Sequence, residues 1–491
     1  MPQVPLLIGI TGHRELRTEE IEPLRGAVRG YLGELRERFP AAPLLVASTL
    51  APGAEILAVE EALALGIECV AILPLPLELY RADFGDELGR FEEILGRCRQ
   101  RVMCPLQEGL SPSDVSVPGA SRSAQYAATS RLIASHAYIL LALWDGRVAI
   151  DGSAATIAFR LARRAWLDDD VSAPHKELLP DIPPDLVYHI VASSAGGEPA
   201  AGMTALQAGY RCSLEGPLES AMTPAAELVA IRTSELNVDL RGYAQTDASV
   251  TAPAGALAAL AAAPQCVHET AALFDAIDTL AARMRSRVMT TLYLTSALTV
   301  AMGIFFLAFS HSDFCLVCRF SIFAFLAGFL ALVIVNSVAH RSQWHRRYLE
   351  FRAVAEGLRV ELFWAVAGVR ARGAPPAAHR TMLKQADPGL EWIPNAIRTL
   401  SLLVTEVRYA GMPGGIEFAH HRWVGTISDA GARSEQLHYY WQASRQAAAF
   451  ASFAERAALV SVVIGVGVAA TLAVQTLIDS QALYHPLLFS M

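Results

Sequence analysis

The sequence predicts an α/β domain built on a doubly wound parallel sheet, followed by an all-α transmembrane helical domain with long cytosolic helices. Three observations predict it. Over the amino-terminal part, short apolar runs alternate with stretches of helical periodicity, the pattern of parallel strands buried on both faces. Further along, Val288 to Ser310, Phe320 to Ala339 and Ala457 to Leu477 carry no formal charge, and each is long enough to cross a hydrocarbon core as a helix. The composition agrees: 53% of the 491 residues are hydrophobic and 18% charged, with mean hydropathy +0.33, too apolar for an ordinary soluble enzyme of this length.

Taken in order, Pro5 to Thr11 (PLLIGIT) reads as the first buried strand. Thr18 to Phe39 has apolar residues at helical spacing, with Thr18 placed to cap it. Leu44 to Thr49 is a second strand, halted by Pro52-Gly53. Cys69 to Leu73, Ala137 to Leu143 and Leu186 to Ala192 supply further strands. Helices are expected at Ala54 to Leu65, Asp86 to Cys98, Ala124 to Ser135 and Ser153 to Ala162. The resulting division is a sheet domain over 1–195, a linker and helical connector over 196–270, and a membrane domain over 271–491. The Ala- and Pro-rich stretch Thr251 to Gln265 suits the linker. The membrane domain has spans near 288–310, 320–339 and 457–477 and a cytosolic helical insert at 340–456.

Basic residues set the orientation, because positive side chains are retained on the cytoplasmic face. Arg283, Arg285 and Arg287 precede the first span, and Arg341, Arg346, Arg347 and Arg352 follow the second, whereas the intervening loop has only Arg319. The expectation is a multi-pass inner-membrane protein with a cytoplasmic amino-terminal domain. The start, MPQVPLLIGITGHR, lacks the basic segment of a signal peptide. The spans contain almost nothing ionisable, which argues against a proton relay. Ser461, Gly465, Ala469 and Ala473 recur every fourth position, and Ala324 and Gly328 repeat the device, so helix packing and a homo-oligomer are expected in the bilayer. Cys315-x-x-Cys318 is read as either a disulfide or two unpaired cysteines.

The net charge of −8 gives no blanket attraction to nucleic acid, and none is expected as a partner. No Gly-x4-Gly-Lys loop is present, His268-Glu269 lacks the second histidine of a zinc protease, and His420-His421 has no ligand partners at suitable spacing. No metal site and no cofactor are expected.

In a doubly wound sheet, ligands sit beyond the carboxyl ends of the strands, where loops lead into helix amino termini that favour anions. The candidate ligand-binding residues are therefore Gly12, His13 and Arg14 after the first strand, then Ser48, Gly53, Ala54 and Glu55 around the second. Trp144, Asp145 and Gly146 follow the strand at 137–143, with Gly152, Ser153 and Thr156 opening the next helix. Glycines allow close backbone approach, Arg14 can pair a phosphate, and Asp145 or Glu55 can accept ribose hydroxyl bonds.

Gly9-Ile10-Thr11-Gly12-His13-Arg14, Ala51-Pro52-Gly53-Ala54-Glu55, Leu73-Pro74 with Tyr80 and Asp83-Phe84, and Leu143-Trp144-Asp145-Gly146 together resemble the SLOG superfamily, a Rossmann-like group related to the LOG and DprA proteins. The likeness covers roughly residues 4–195 and adds Pro74 to the candidate site. The hairpin, the segment Trp344-His345-Arg346-Arg347-Tyr348 with Arg352, and the helix at Leu437 to Arg445 are similar to the SLATT membrane domains. The resemblance implies a ligand-gated effector of a bacterial antiphage system, sensing a small nucleotide-derived signal and permeabilising the inner membrane as an oligomeric pore. The chain departs from LOG-type hydrolases, whose Gly-Gly-x-Gly-Thr-x-x-Glu glutamate is replaced here by Phe159 after Gly152-Ser153-Ala154-Ala155-Thr156. No catalytic residue is therefore expected. The alternative is a membrane-anchored enzyme cleaving the N-glycosidic bond of NAD or a nucleotide, with Glu55 or Asp83 as its carboxylate.

Overall fold

The computed structural model describes residues 3–149, 152–161, 186–214, 216–246, 263–311, 315–369, 390, 392–424 and 436–478. Its strands are β1 (Leu6–Gly12), β2 (Leu44–Ser48), β3 (Glu68–Leu73), β4 (Gln100–Met103), β5 (Ile139–Trp144), β6 (Leu186–Val191) and β7 (Ala208–Arg211). They form one seven-stranded sheet in the order β4-β3-β2-β1-β5-β6-β7, parallel except for β7. β1, β2 and β5 consist almost wholly of buried aliphatic residues because both faces are covered. The order runs outward from β1 through β2, β3 and β4, then resumes on the other side of β1 with β5. The switch point lies between the carboxyl ends of β1 and β5, where Gly12 pairs with Leu143.

The covering helices fall into two groups. α1 (Ile21–Arg38), α2 (Ala54–Ala64) and α4 (Leu88–Arg97) contact one another in sequence, with the short α3 (Leu77–Tyr80) between the last two in the chain. α5 (Ala120–His136) and α6 (Gly152–Leu161) pack together over Leu140, Ala142, Trp144 and Val187. Strand side chains alternate faces, so Ile139, Leu141 and Leu143 serve the opposite layer.

Two strands go beyond the sequence reading. β4 has one buried residue, Val102, between exposed Arg101 and Met103, and β7 is an antiparallel edge strand. Neither shows the continuous apolar run that marks a central strand. The cap expected of Thr18 does not form; Thr18 lies in a 3-10 turn without a side-chain capping bond. The neighbouring Glu20 accepts the Ser193 N–H at 2.8 Å instead, tying the helix entry to the loop after β6.

Two compact units divide the chain, Met1–Gly415 and Ile416–Met491. Within the first, α7 (Pro224–Thr246) crosses the amino ends of β1 and β5: Val4 N–H donates to Asn237 Oδ1 and Asn237 Nδ2 to the Val4 carbonyl, each at 2.9 Å, and the Tyr138 hydroxyl donates to Ala226 O at 2.5 Å. β7 and α7 thus complete the sheet region from within the stretch read as connector; most of Thr251 to Gln265 lies outside the described residues.

α8 (Gln265–His311) and α9 (Cys315–Arg341) form an antiparallel helical hairpin, and α10 (Trp344–Ala367) packs along α8. α11 (Trp392–Leu403) and α12 (Thr405–Ala410) return to the sheet. Gln100 Nε2 donates to Leu403 O at 2.8 Å and the Tyr409 hydroxyl to Leu106 O at 3.0 Å. The second unit contains α13 (Gln436–Ile478). Three helical stretches are long and apolar enough to cross a membrane, Gln265–Ser310, Leu316–Ala367 and Tyr440–Gly467, and their most apolar windows are unburied by protein. Cys315 and Cys318 stand in the first turn of α9 rather than in a loop.

Candidate functional site

The turn after β1 is locked to its neighbours through the backbone. His13 N–H donates to Leu143 O at 3.1 Å, and Ala54 N–H donates to His13 O at 3.0 Å. A Cβ on Gly12 would lie 2.4 Å from the Ala54 Cβ and 2.7 Å from Leu143 O, so only glycine lets the strand end and α2 meet. Gly53, at φ +82°, is the second such point, because a Cβ there would fall 2.1 Å from the Arg14 carbonyl oxygen. The loops after β1 and β2 therefore touch backbone to backbone.

Across the switch point, the Asp145 N–H donates to His13 Nε2 at 3.1 Å, and Asp145 Oδ1 stands 3.5 Å from the same nitrogen. Asp145 Oδ1 also accepts the Arg147 N–H at 3.0 Å, which closes the turn after β5. Ser153 Oγ donates to Gly12 O at 2.5 Å, bringing the amino terminus of α6 against the end of β1. The first-turn N–H groups of a helix have no intrahelical partner and favour negative charge. Arg14 is exposed, lies 5.4 Å from the centre of the Tyr126 ring, and makes no salt bridge among the described residues. An exposed guanidinium on a turn whose backbone packs against Gly53 and Ala54 at the amino terminus of α2 is suited to an anionic ligand.

The structure brings together Gly12, His13, Arg14, Gly53, Ala54, Asp145, Gly146, Gly152 and Ser153. It turns four other expected residues inward. Trp144 is 1% exposed and donates its indole N–H to Arg147 O at 3.0 Å. Thr156 is buried and donates to Gly152 O at 3.1 Å. Ser48 and Glu55 are both buried: Glu55 Oε2 accepts from Ser48 Oγ at 2.7 Å, Thr49 N–H at 2.9 Å and Thr49 Oγ1 at 2.7 Å. Burial pushes the Glu55 carboxyl above its ordinary range, against the opposing pull of these hydrogen bonds. That network holds Leu50 at φ +60°, a conformation costly for a leucine, since Ser48 Oγ also accepts the Leu50 N–H. Pro74 contributes its carbonyl, which accepts from Gln125 Nε2 at 3.0 Å.

The wall on the β2–β3 side is made by residues beyond the candidate set. Arg122 Nη2 donates to Asp83 Oδ1 at 2.7 Å, and the Tyr126 hydroxyl donates to Asp83 Oδ2. Burial, and then the Asp83 carboxylate, raise the Tyr126 phenol well above its usual range, so it remains a donor. Arg122, Gln125, Tyr126 and Thr129 form a polar stripe at helical spacing on a helix that packs against the sheet, a legible signal once that helix is known to be covered on one side. Both carboxylates named for hydrolysis thus accept from protein donors, Glu55 through Oε2 and Asp83 through both oxygens. Among the described residues no cluster of histidine, cysteine and carboxylate could hold a metal ion. Compared with protein-family models and with curated proteins, the chain matches none.

For the packing residues, a Cβ on Gly328 would come 2.9 Å from Met302 Cγ, so the two hairpin helices approach closely there. Ser461 and Gly465 are exposed on α13, while the side chains of Ala469 and Ala473 lie outside the described residues.

Proposed function

We propose that this protein is a ligand-responsive membrane effector of the SLOG–SLATT kind, in which a nucleotide-derived anion bound at the β1–β5 switch point controls an oligomeric pore formed by the apolar helices in a bacterial inner membrane. Such modules serve antiphage defence, and that role is part of the proposal. The observation that carries the reading is the course of β1. Its carboxyl end forms the glycine-tight turn bearing exposed Arg14, and at its amino end Val4 is bonded in both directions to Asn237 of α7. α7 is in turn ion-paired to the first turn of α10, the helix that packs along α8, through Asp239 with Arg347 at 3.2 Å and Glu235 with Arg346 at 3.7 Å. A ligand that favours one position of the β1 turn has a packed route to the helices, and it can gate them to the extent that it binds the two states unequally.

The test is reconstitution of the full chain in dye-filled liposomes with NAD and ADP-ribose as probes, with binding measured in parallel and the nucleotides recovered for mass spectrometry. Dye release by a nucleotide that binds and is recovered intact is expected. Binding without release overturns the pore, and turnover of the nucleotide overturns the non-enzymatic reading in favour of the membrane-anchored hydrolase.

A further inference from the structure

The contacts along the hairpin fix its register. Phe306 meets Phe325 with ring centres 5.9 Å apart, Met302 abuts Gly328, and the Arg287 guanidinium lies 5.8 Å from the centre of the Trp344 ring. In that register Arg341 comes within about one helical turn of the level of Arg287. The surface changes character here. Met284 and Glu350 are buried by protein, whereas Leu292, Tyr293, Val333 and Ile334, further along the hairpin, are exposed apolar side chains.

The cations at this boundary separate into two sets. Arg346 pairs with Glu350 at 2.9 Å, Arg347 with Asp239 at 3.2 Å and Arg352 with Asp278 at 2.7 Å, while Arg283 lies over the Tyr243 ring at 4.3 Å. Arg285, Arg287 and Arg341 are exposed and make no salt bridge among the described residues. The carboxylates at their level, Glu235, Asp239 and Glu350, are already held by Arg346 and Arg347. Three exposed guanidiniums without a salt bridge among the described residues, of which Arg287 also acts on the Asp239 carboxylate, lie on the rim of an apolar surface and complement an anion that itself resides at the edge of the hydrocarbon; planar guanidinium suits phosphate.

We propose that Arg285, Arg287 and Arg341 form a basic rim around the hairpin, with the Trp344 ring beside Arg287, whose headgroup contacts select anionic over zwitterionic phospholipid. The inference rests on α8 and α9 crossing a bilayer, and the test separates the two. Each arginine near a surface enriches anionic lipid about five-fold. The full chain is reconstituted in phosphatidylcholine vesicles carrying, at equal mole fraction, either phosphatidylglycerol or phosphatidylcholine brominated near the headgroup. Trp344 emission is isolated by difference against the Trp344→Phe variant. Several-fold stronger quenching by the brominated phosphatidylglycerol is expected. The preference should vanish in R285Q/R287Q/R341Q and persist in R285K/R287K/R341K, whose charges are intact. Equal quenching by the two lipids, or a preference that survives the glutamine variant, overturns the headgroup site alone. No quenching by either overturns the membrane reading beneath it.

Discussion

The turns that end β1 and β2 are neighbours made of like parts, an apolar strand, a glycine and a charged side chain, and they finish in opposite states. At β2 the charge is Glu55, which folds back onto three donors of its own turn and is sealed from solvent. At β1 the charge is Arg14, whose side chain pairs with no carboxylate among the described residues and is exposed over Tyr126. The difference lies in local partners: Ser48 and Thr49 satisfy a carboxylate, while the Arg14 guanidinium meets the Tyr126 ring. A charged residue at a strand end is therefore a ligand contact only where its own turn leaves it unsatisfied.

That contrast can be broken at the point where the turns touch. Gly53→Val should destabilise the protein by about 4 kcal/mol, since it combines a positive φ with collision against the Arg14 carbonyl; thermal unfolding of the detergent-solubilised chain measures it, and nucleotide binding should be lost together with the fold. Next in size, Glu55→Ala should cost about 3 kcal/mol by stranding the Ser48 and Thr49 donors, yet leave the affinity of the folded fraction for ADP-ribose unchanged in calorimetry. A large loss of affinity there would mean the β2 turn is not sealed in the liganded protein. Arg14→Ala inverts the pattern: stability stays within about 0.5 kcal/mol, as for most surface changes, while binding weakens ten-fold or more, the loss of one charge-assisted contact of about 2 kcal/mol. The mildest change, Ser153→Ala, removes one hydrogen bond to the Gly12 carbonyl and should lower the unfolding free energy by about 1 kcal/mol in denaturant titration, with a small loss of affinity through the loosened α6 terminus.

The central strands were legible because a strand covered on both faces must be apolar throughout, as Leu6 to Ile10 and Ile139 to Leu143 are. The edge strands were not, since Gln100–Met103 and Ala208–Arg211 need only one buried face or one short pairing and so resemble loops. Within the site, glycines were informative because close backbone approach has a single residue solution. For Trp144, Thr156 and Glu55 residue type does not state direction: each stands at a strand end or helix start, and the side chain of each is turned into the protein by a partner nearby in the chain.

The sequence by itself determined the alternation of strands and helices, the position of the switch-point turns, and three helices long and apolar enough for a bilayer. Those follow from periodicity and length, which are local properties. The tertiary structure alone decided which charges remain open. Arg14, Arg285, Arg287 and Arg341 are of the same residue type as Arg346, Arg347 and Arg352, and the distance to a carboxylate on another element separates a cation spent on folding from one available to a ligand or a lipid.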